Sequence, residues 1–130
     1  MRHFLSPLLA SPGPGYRLEN GTTGLTMAST LETAFDSKAR RHGLLHRDGL
    51  DAGVAIILAP CAAIHTWFMR FPIDVVFVAK DGTVAKVCSR VKPWRTAMAF
   101  GAFAAIELAA GGADESRTAI GDRLRVEFLP

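Results

Sequence analysis

The sequence predicts an α+β domain: a predominantly antiparallel, barrel-like sheet with one main helix packed on it. Three observations carry that expectation. Val54–Leu58 is wholly apolar, as a central strand covered on both faces must be. Two β-rich runs flank the dipeptide Asp81-Gly82, a strong hairpin signal. One stretch, following Asp36, changes to a helical period.

At 130 residues the chain is long enough for one domain with a core of its own. Apolar residues make up 49% and charged residues 21%, a globular balance that excludes a disordered or fibrous chain. The formal net charge of +3 permits an anionic partner without requiring one. Cys61 and Cys88 are too few for a disulfide framework, which points to a reducing compartment and so to the cytoplasm; in an oxidising one, secreted or periplasmic, the two could pair, and their spacing does not decide. Charges interrupt every apolar run, so no membrane span is expected. At the N-terminus Arg2 and His3 precede a short apolar run that Pro7 breaks. Leu8 stands where a cleavage after Ala10 would need a small residue. Residues 1–15 are therefore expected to form a flexible lead, and 16–130 a single domain.

Asn20-Gly21 is expected to turn a hairpin between Tyr16–Glu19 and Leu25–Ser29. Asp36 or Ser37 can cap the main helix, with Ala39, His42, Leu44 and Leu45 as its apolar stripe and Asp48-Gly49 as its end. After the Val54–Leu58 strand and Pro60, His65–Phe71 reads as a strand with looser alternation. Pro72 breaks it and marks an edge, bulge or crossing point. A two-residue type I′ turn at Asp81-Gly82 would pair Lys80 with Thr83. Val78 then faces Ala85, Val76 faces Val87 and Asp74 faces Ser89. On the other face Phe77 meets Lys86, Val75 meets Cys88 and Ile73 meets Arg90. The face of Val76 and Val78 is the more apolar, so Asp74 is expected to point inward. Residues 96–112 carry both alanine-rich helical propensity and a β-like alternation at Phe103, Ala105 and Glu107. Residues 113–118 suit a short helical turn. Gly121-Asp122 should turn the chain into a last strand with Leu124, Val126 and Phe128 on one face. The total is about six or seven strands.

The successive segments "RRHGLLHR", "PCAAIHTWFMRFPIDVVFVAKDGTV", "VKPW", "AIELAAG" and "AIGDRLRV" resemble the motifs of the DUF192 family. This is a prokaryotic family of small domains named for having no assigned function, and the resemblance covers roughly residues 25 to 128. It implies a compact β-rich barrel with one helix against it. It implies no catalytic residue, and it leaves the compartment open, since members occur with and without signal peptides.

Several residues carry chemistry that a core would not need. An inward Asp74 must be paired, accept backbone N–H bonds or stay protonated. Its structural role would be to secure the Pro72 corner or bond Ser89; its functional role would be a ligand-orienting or general-base carboxylate. Glu107 poses the same choice, as an acid/base partner of Asp74 or as an ion pair with Arg95 or Lys92. Cys61 and His65 could form a thiol–imidazole dyad. Cys88 would share its face with Lys86, Arg90 and Lys92, or simply fill space opposite Val75. No histidine or cysteine spacing suggests a metal site, and no cofactor is expected. Trp67 and Met69 would share a strand face near Trp94, as core or rim packing or as a stacking platform for a flat ligand. Lys86, Arg90, Lys92 and Arg95 form one basic group and Arg40, Arg41 and Arg47 another. Interspersed acids make a solvated basic face the preferred reading there, with nucleic acid the least favoured partner. The combined expectation is a non-catalytic module for a small molecule or protein, unidentified. Its pocket would lie at the barrel mouth, lined by Trp67, Met69, Asp74, Trp94 and Glu107. A hydrolase using Asp74 with Glu107, or Cys61 with His65, is the alternative.

Overall fold

Every residue of Ile73–Val78 is buried, as are the first five of Ala104–Ala109, so both segments lie between two covering layers. The computed structural model describes residues 3–10, 15–36, 44 and 47–129. In chain order its elements are α1 (Ser6–Ala10), β1 (Tyr16–Asn20), β2 (Leu25–Ala28), β3 (Thr30–Ala34), β4 (Val54–Leu58), β5 (Ala63–His65), β6 (Ile73–Val78), β7 (Val84–Val91), β8 (Thr96–Met98), β9 (Ala104–Ala109), α2 (Gly112–Glu115) and β10 (Leu124–Phe128). The domain is mostly β with few helices, an α+β fold. The expected main helix after Asp36 falls largely on residues outside those described.

A five-stranded sheet in the order β3-β4-β9-β6-β7 forms the centre. Its pairs are antiparallel except β3 with β4. A three-stranded sheet β10-β1-β2 packs on one face of it and meets the β6–β7 turn through a bridge between Thr83 and Arg123, and β5 pairs with β8 in a separate ribbon. The strands therefore do not close into the expected barrel. Each sheet keeps its own edges, and α1 and the ribbon cover faces that closure would have sealed.

The central sheet buries two different faces. One carries Val76, Val78, Ile57, Ile106 and Leu108, and packs on Leu5, Leu18, Leu124 and Val126. The other carries Ile73, Val75, Phe77, Ile56 and Ala105, and packs on Met69, Ala97 and Ala99. Burying each large apolar side chain stabilises the fold by about 1.5–3 kcal/mol, so both layers matter. Residues 3–10 of the stretch expected as a flexible lead join the first core. Leu5 and Leu8 are buried there, and the Phe4 N–H donates to the Lys80 carbonyl.

Between β6 and β7 the middle of the predicted register is found: Val75 opposite Cys88, Val76 opposite Val87 and Phe77 opposite Lys86. Both ends differ. The Gly82 N–H donates to the Ala79 carbonyl and Gly82 has φ +89°, so the loop holds three residues, Lys80–Gly82, and not two. Val78 consequently meets Val84 and not Ala85. At the far end Arg90 takes φ +51° and Ile73 meets Val91. The first hairpin also forms, but over Gly21–Gly24, with the Asn20 side-chain oxygen accepting the N–H groups of Thr22 and Thr23.

Candidate functional site

The register shift at Arg90 coincides with a bond to Asp74. Its carboxylate has no solvent contact. Oδ1 accepts the Arg90 N–H at 2.8 Å, and Oδ2 accepts those of Gly111 at 3.1 Å and Ala113 at 2.9 Å. The left-handed Arg90 turns its amide onto that carboxylate, and the Gly111-Gly112 turn brings the start of α2 to the same point. The side chain secures β7 and α2 to β6, with neither Ser89 nor the Pro72 corner as partner.

Asp74 and Glu107 do not meet. Asp74 lies opposite Leu108, and Glu107 lies opposite Val75 and Ile56. Cross-strand partners share a face, so the two carboxylates point to opposite sides of one sheet. An acid pair built on them is excluded by this register. Glu107 is 5% exposed on the face of Val75 and Phe77, where burial pushes its pKa up to about 7, partly countered by Arg47. The Arg47 guanidinium is itself held by Glu32, at 2.7 and 3.2 Å. Neither Lys92 nor Arg95 pairs with Glu107 among the described contacts.

Cys61 and His65 also go separate ways. The half-buried Cys61 Sγ donates to the Ala63 carbonyl, while the exposed His65 imidazole stacks on Trp67 with centroids 4.8 Å apart. No disulfide joins Cys61 to Cys88, and Cys88 packs against the second core layer. Among the described residues no cluster of three or more His, Cys, Asp or Glu could hold a metal. No helix among them is long and apolar enough to cross a membrane.

Aromatic side chains gather at the β5–β8 ribbon. The expected strand through Phe71 stops at His65, and Thr66–Met69 makes a β-turn closed by the Met69 N–H on the Thr66 carbonyl at 3.2 Å. Trp67 and Met69 therefore share no strand face: Met69 is buried and Trp67 is 46% exposed. Phe68, at the third turn position, has φ +66°. Lys92–Arg95 repeats the device, with Pro93 at the second position and Trp94 at the third, also at φ +66°. That position favours glycine, and a bulky residue held there costs of order 1–3 kcal/mol.

Thr66 binds the two turns together. Its buried hydroxyl donates to the Lys92 carbonyl at 2.6 Å and accepts the Arg95 N–H at 2.9 Å, standing where a direct turn bond would run. Its backbone N–H donates to the Arg95 carbonyl, and its own carbonyl accepts the Trp94 N–H. Phe68 and Trp94 then meet with centroids 4.6 Å apart, 69% and 57% exposed. On the outer face of the ribbon Met98 is exposed, and Phe100, just beyond β8, is exposed as well.

Of the five expected binding residues, the structure brings Trp67 and Trp94 to this one surface. It buries Met69 and Glu107 on the inner side, and it occupies Asp74 on the opposite face of the sheet. Thr66 escapes sequence reasoning, and Phe68 reads there only as core or rim packing. Three successive large residues, Trp67 to Met69, cannot all be inward in an alternating strand, and that was the available signal. A cavity of about 270 Å³ lies elsewhere, between α1 and the sheet, lined by Leu5, Leu9, Phe35, Pro60 and Phe103 among others. None of the five expected residues lines it.

The fold recurs in solved structures. A protein of unknown function from Novosphingobium aromaticivorans DSM 12444 superposes with a TM-score of 0.73 at 24% identity, covering 85% of this chain and 82% of that one. A protein from Sinorhizobium meliloti 1021 described as a "putative transcription regulator" also gives 0.73, at 23% identity, covering 85% and 91%. At such identities the likeness speaks for the fold alone. The comparison with curated proteins finds no match. The family model DUF192, described as "Uncharacterized ACR", matches residues 18–126. With its elements in place and that model spanning most of its length, the chain belongs to the DUF192 family.

Proposed function

We propose that this domain is a binding module that takes its ligand on the surface formed by Trp67, Phe68 and Trp94. One observation carries the reading: two neighbouring aromatics, Phe68 and Trp94, are both held in the left-handed backbone region and both turned to solvent. Strain of this kind persists only where surrounding bonds over-determine it, and Thr66 supplies them, its hydroxyl at the Trp94 turn and its carbonyl at both turns. A chain seeking stability alone would place glycine at those turn positions and bury the rings. Large exposed aromatics on rigid turns suit stacking on a flat ligand or docking of a partner. The Sinorhizobium protein's description as a regulator accords with a binding role and adds no residue to it.

The barrel-mouth pocket expected from the sequence reduces, in this proposal, to its two tryptophans. Met69 supports the turn from beneath, Asp74 serves the fold, and Glu107 lies in the inner layer. The test uses the two indole N–H signals, one for each tryptophan in the chain. Mixtures of nucleotides, oligosaccharides and peptides are added while the nitrogen-correlated proton spectrum is followed. The reading predicts a ligand that shifts both indole signals, and loss of its binding in Trp67→Ala at an unchanged melting temperature. Ligands that bind while both indoles stay unmoved would refute it.

A further inference from the structure

We infer that the Trp67–Phe68–Trp94 surface binds single-stranded nucleic acid, an inference that rests on the reading of that surface as the docking site. Charge is the first support. Residues 82–106 contain Lys86, Arg90, Lys92 and Arg95 and no Asp or Glu. Lys86, Lys92 and Arg95 are exposed, and none forms a salt bridge among the described residues. Of the exposed acids between residues 48 and 81, Asp48 pairs with Arg70 at 2.7 Å and Asp81 faces Arg123 at 4.0 Å, while Asp51 lies just before β4. Asp74, the one carboxylate on β6, is fully buried. The segment that carries Trp94 and β8 is therefore locally basic although the whole chain carries only +3.

Placement is the second support. Lys92 and Arg95 belong to the turn that presents Trp94, and both are bonded through their backbone to Thr66. At the other end the Lys86 Nζ donates to the Met98 carbonyl at 2.8 Å, bringing a cation to the backbone of β8. Rings and cations thus share one strip, from Phe68 and Trp94 past His65 and Trp67 to Met98. Sequence-tolerant recognition of single strands uses this combination: bases stack on aromatic rings while nearby cations follow the phosphates. A duplex hides the faces of its bases and would leave the rings without partners. An acidic peptide would engage the cations and leave the stacking surface unused.

The experiment titrates a fluorescein-labelled oligothymidylate with the full chain and reads fluorescence anisotropy at several salt concentrations. Binding should weaken with salt with a logarithmic slope of about −2, from about −0.7 for each of three neutralised phosphates. Trp67→Ala and Trp94→Ala should each weaken binding by roughly 5- to 150-fold, as loss of one stacked base does, without lowering the melting temperature. Unlabelled oligothymidylate should displace the probe far better than duplex DNA or polyglutamate. Three outcomes would overturn the inference: no binding at low salt, binding that survives both tryptophan substitutions, or displacement by polyglutamate as readily as by oligothymidylate. The last would reassign the surface to acidic peptides. If oligothymidylate fails while another ligand still shifts both indole signals, the inference falls and the docking surface stands.

Discussion

A carboxylate with no solvent contact needs donors, and Asp74 finds three backbone amides drawn from β7 and from the start of α2. Asp74→Ala would orphan those donors and should destabilise the fold by about 1–3 kcal/mol, read as a lower denaturation midpoint. Asp74→Asn should also destabilise, because one accepting oxygen becomes a donor facing another N–H. Wild-type midpoints in both variants would contradict this role. Glu107 presents the opposite case, a carboxylate with burial and little compensation. Its pKa rises from 4.5 to about 7, so the folded state holds the proton more tightly than the unfolded chain between those values. Its contribution to stability is therefore fully present below about pH 4.5 and is lost as pH rises through 7, an effect of order 3 kcal/mol at about 1.4 kcal/mol per unit. Denaturation midpoints of Glu107→Gln should fall less between pH 5 and pH 8 than those of the wild type; parallel curves would contradict it. The inward direction of Asp74 was legible from its alternation with Val76 and Val78. Its partners were not, since Gly111 and Ala113 lie 37 and 39 residues away and no local pattern announces such bonds.

At the scale of elements, the β6–β7 hairpin was legible in its middle and not at its ends. Alternation of side chains fixes Val75 opposite Cys88, but a bulge inserts one residue without disturbing the hydrophobic pattern beyond it. Gly82 is constrained twice. Its φ of +89° disfavours any side chain, and a Cβ there would collide with the Leu124 carbonyl oxygen of β10. The Leu124 N–H also donates to the Gly82 carbonyl, so the turn is joined to a strand of the other sheet. Gly82→Val should thus destabilise by more than the roughly 1 kcal/mol of backbone strain alone. An unchanged chemical denaturation midpoint would refute that close approach. The Thr66 turns were harder to read. A threonine between His65 and Trp67 looks like one more strand residue, and its partners Lys92 and Arg95 lie beyond β6 and β7.

For the whole molecule, the sequence revealed an α+β domain rich in antiparallel pairs, but not how its strands divide. Separation into three sheets depends on pairings such as the parallel β3–β4 and the short β5–β8 ribbon, made between segments whose local sequence looks alike. That division creates the proposed site. The ribbon covers the inner layer with Ile64 and Ala97, leaving His65, Met98 and the turns carrying Trp67, Phe68 and Trp94 on the outside. Exposed aromatics beside cations that form no salt bridge among the described residues then become a property of the assembled surface, which no single segment reveals. The most direct measurement of that claim is protection of the two indole N–H groups from a soluble paramagnetic agent, with and without saturating oligothymidylate. The account predicts that both indole signals broaden strongly in the isolated protein and that both are protected once the oligonucleotide is bound. Indoles that remain equally accessible in the complex, or that are shielded before any ligand is added, would contradict it.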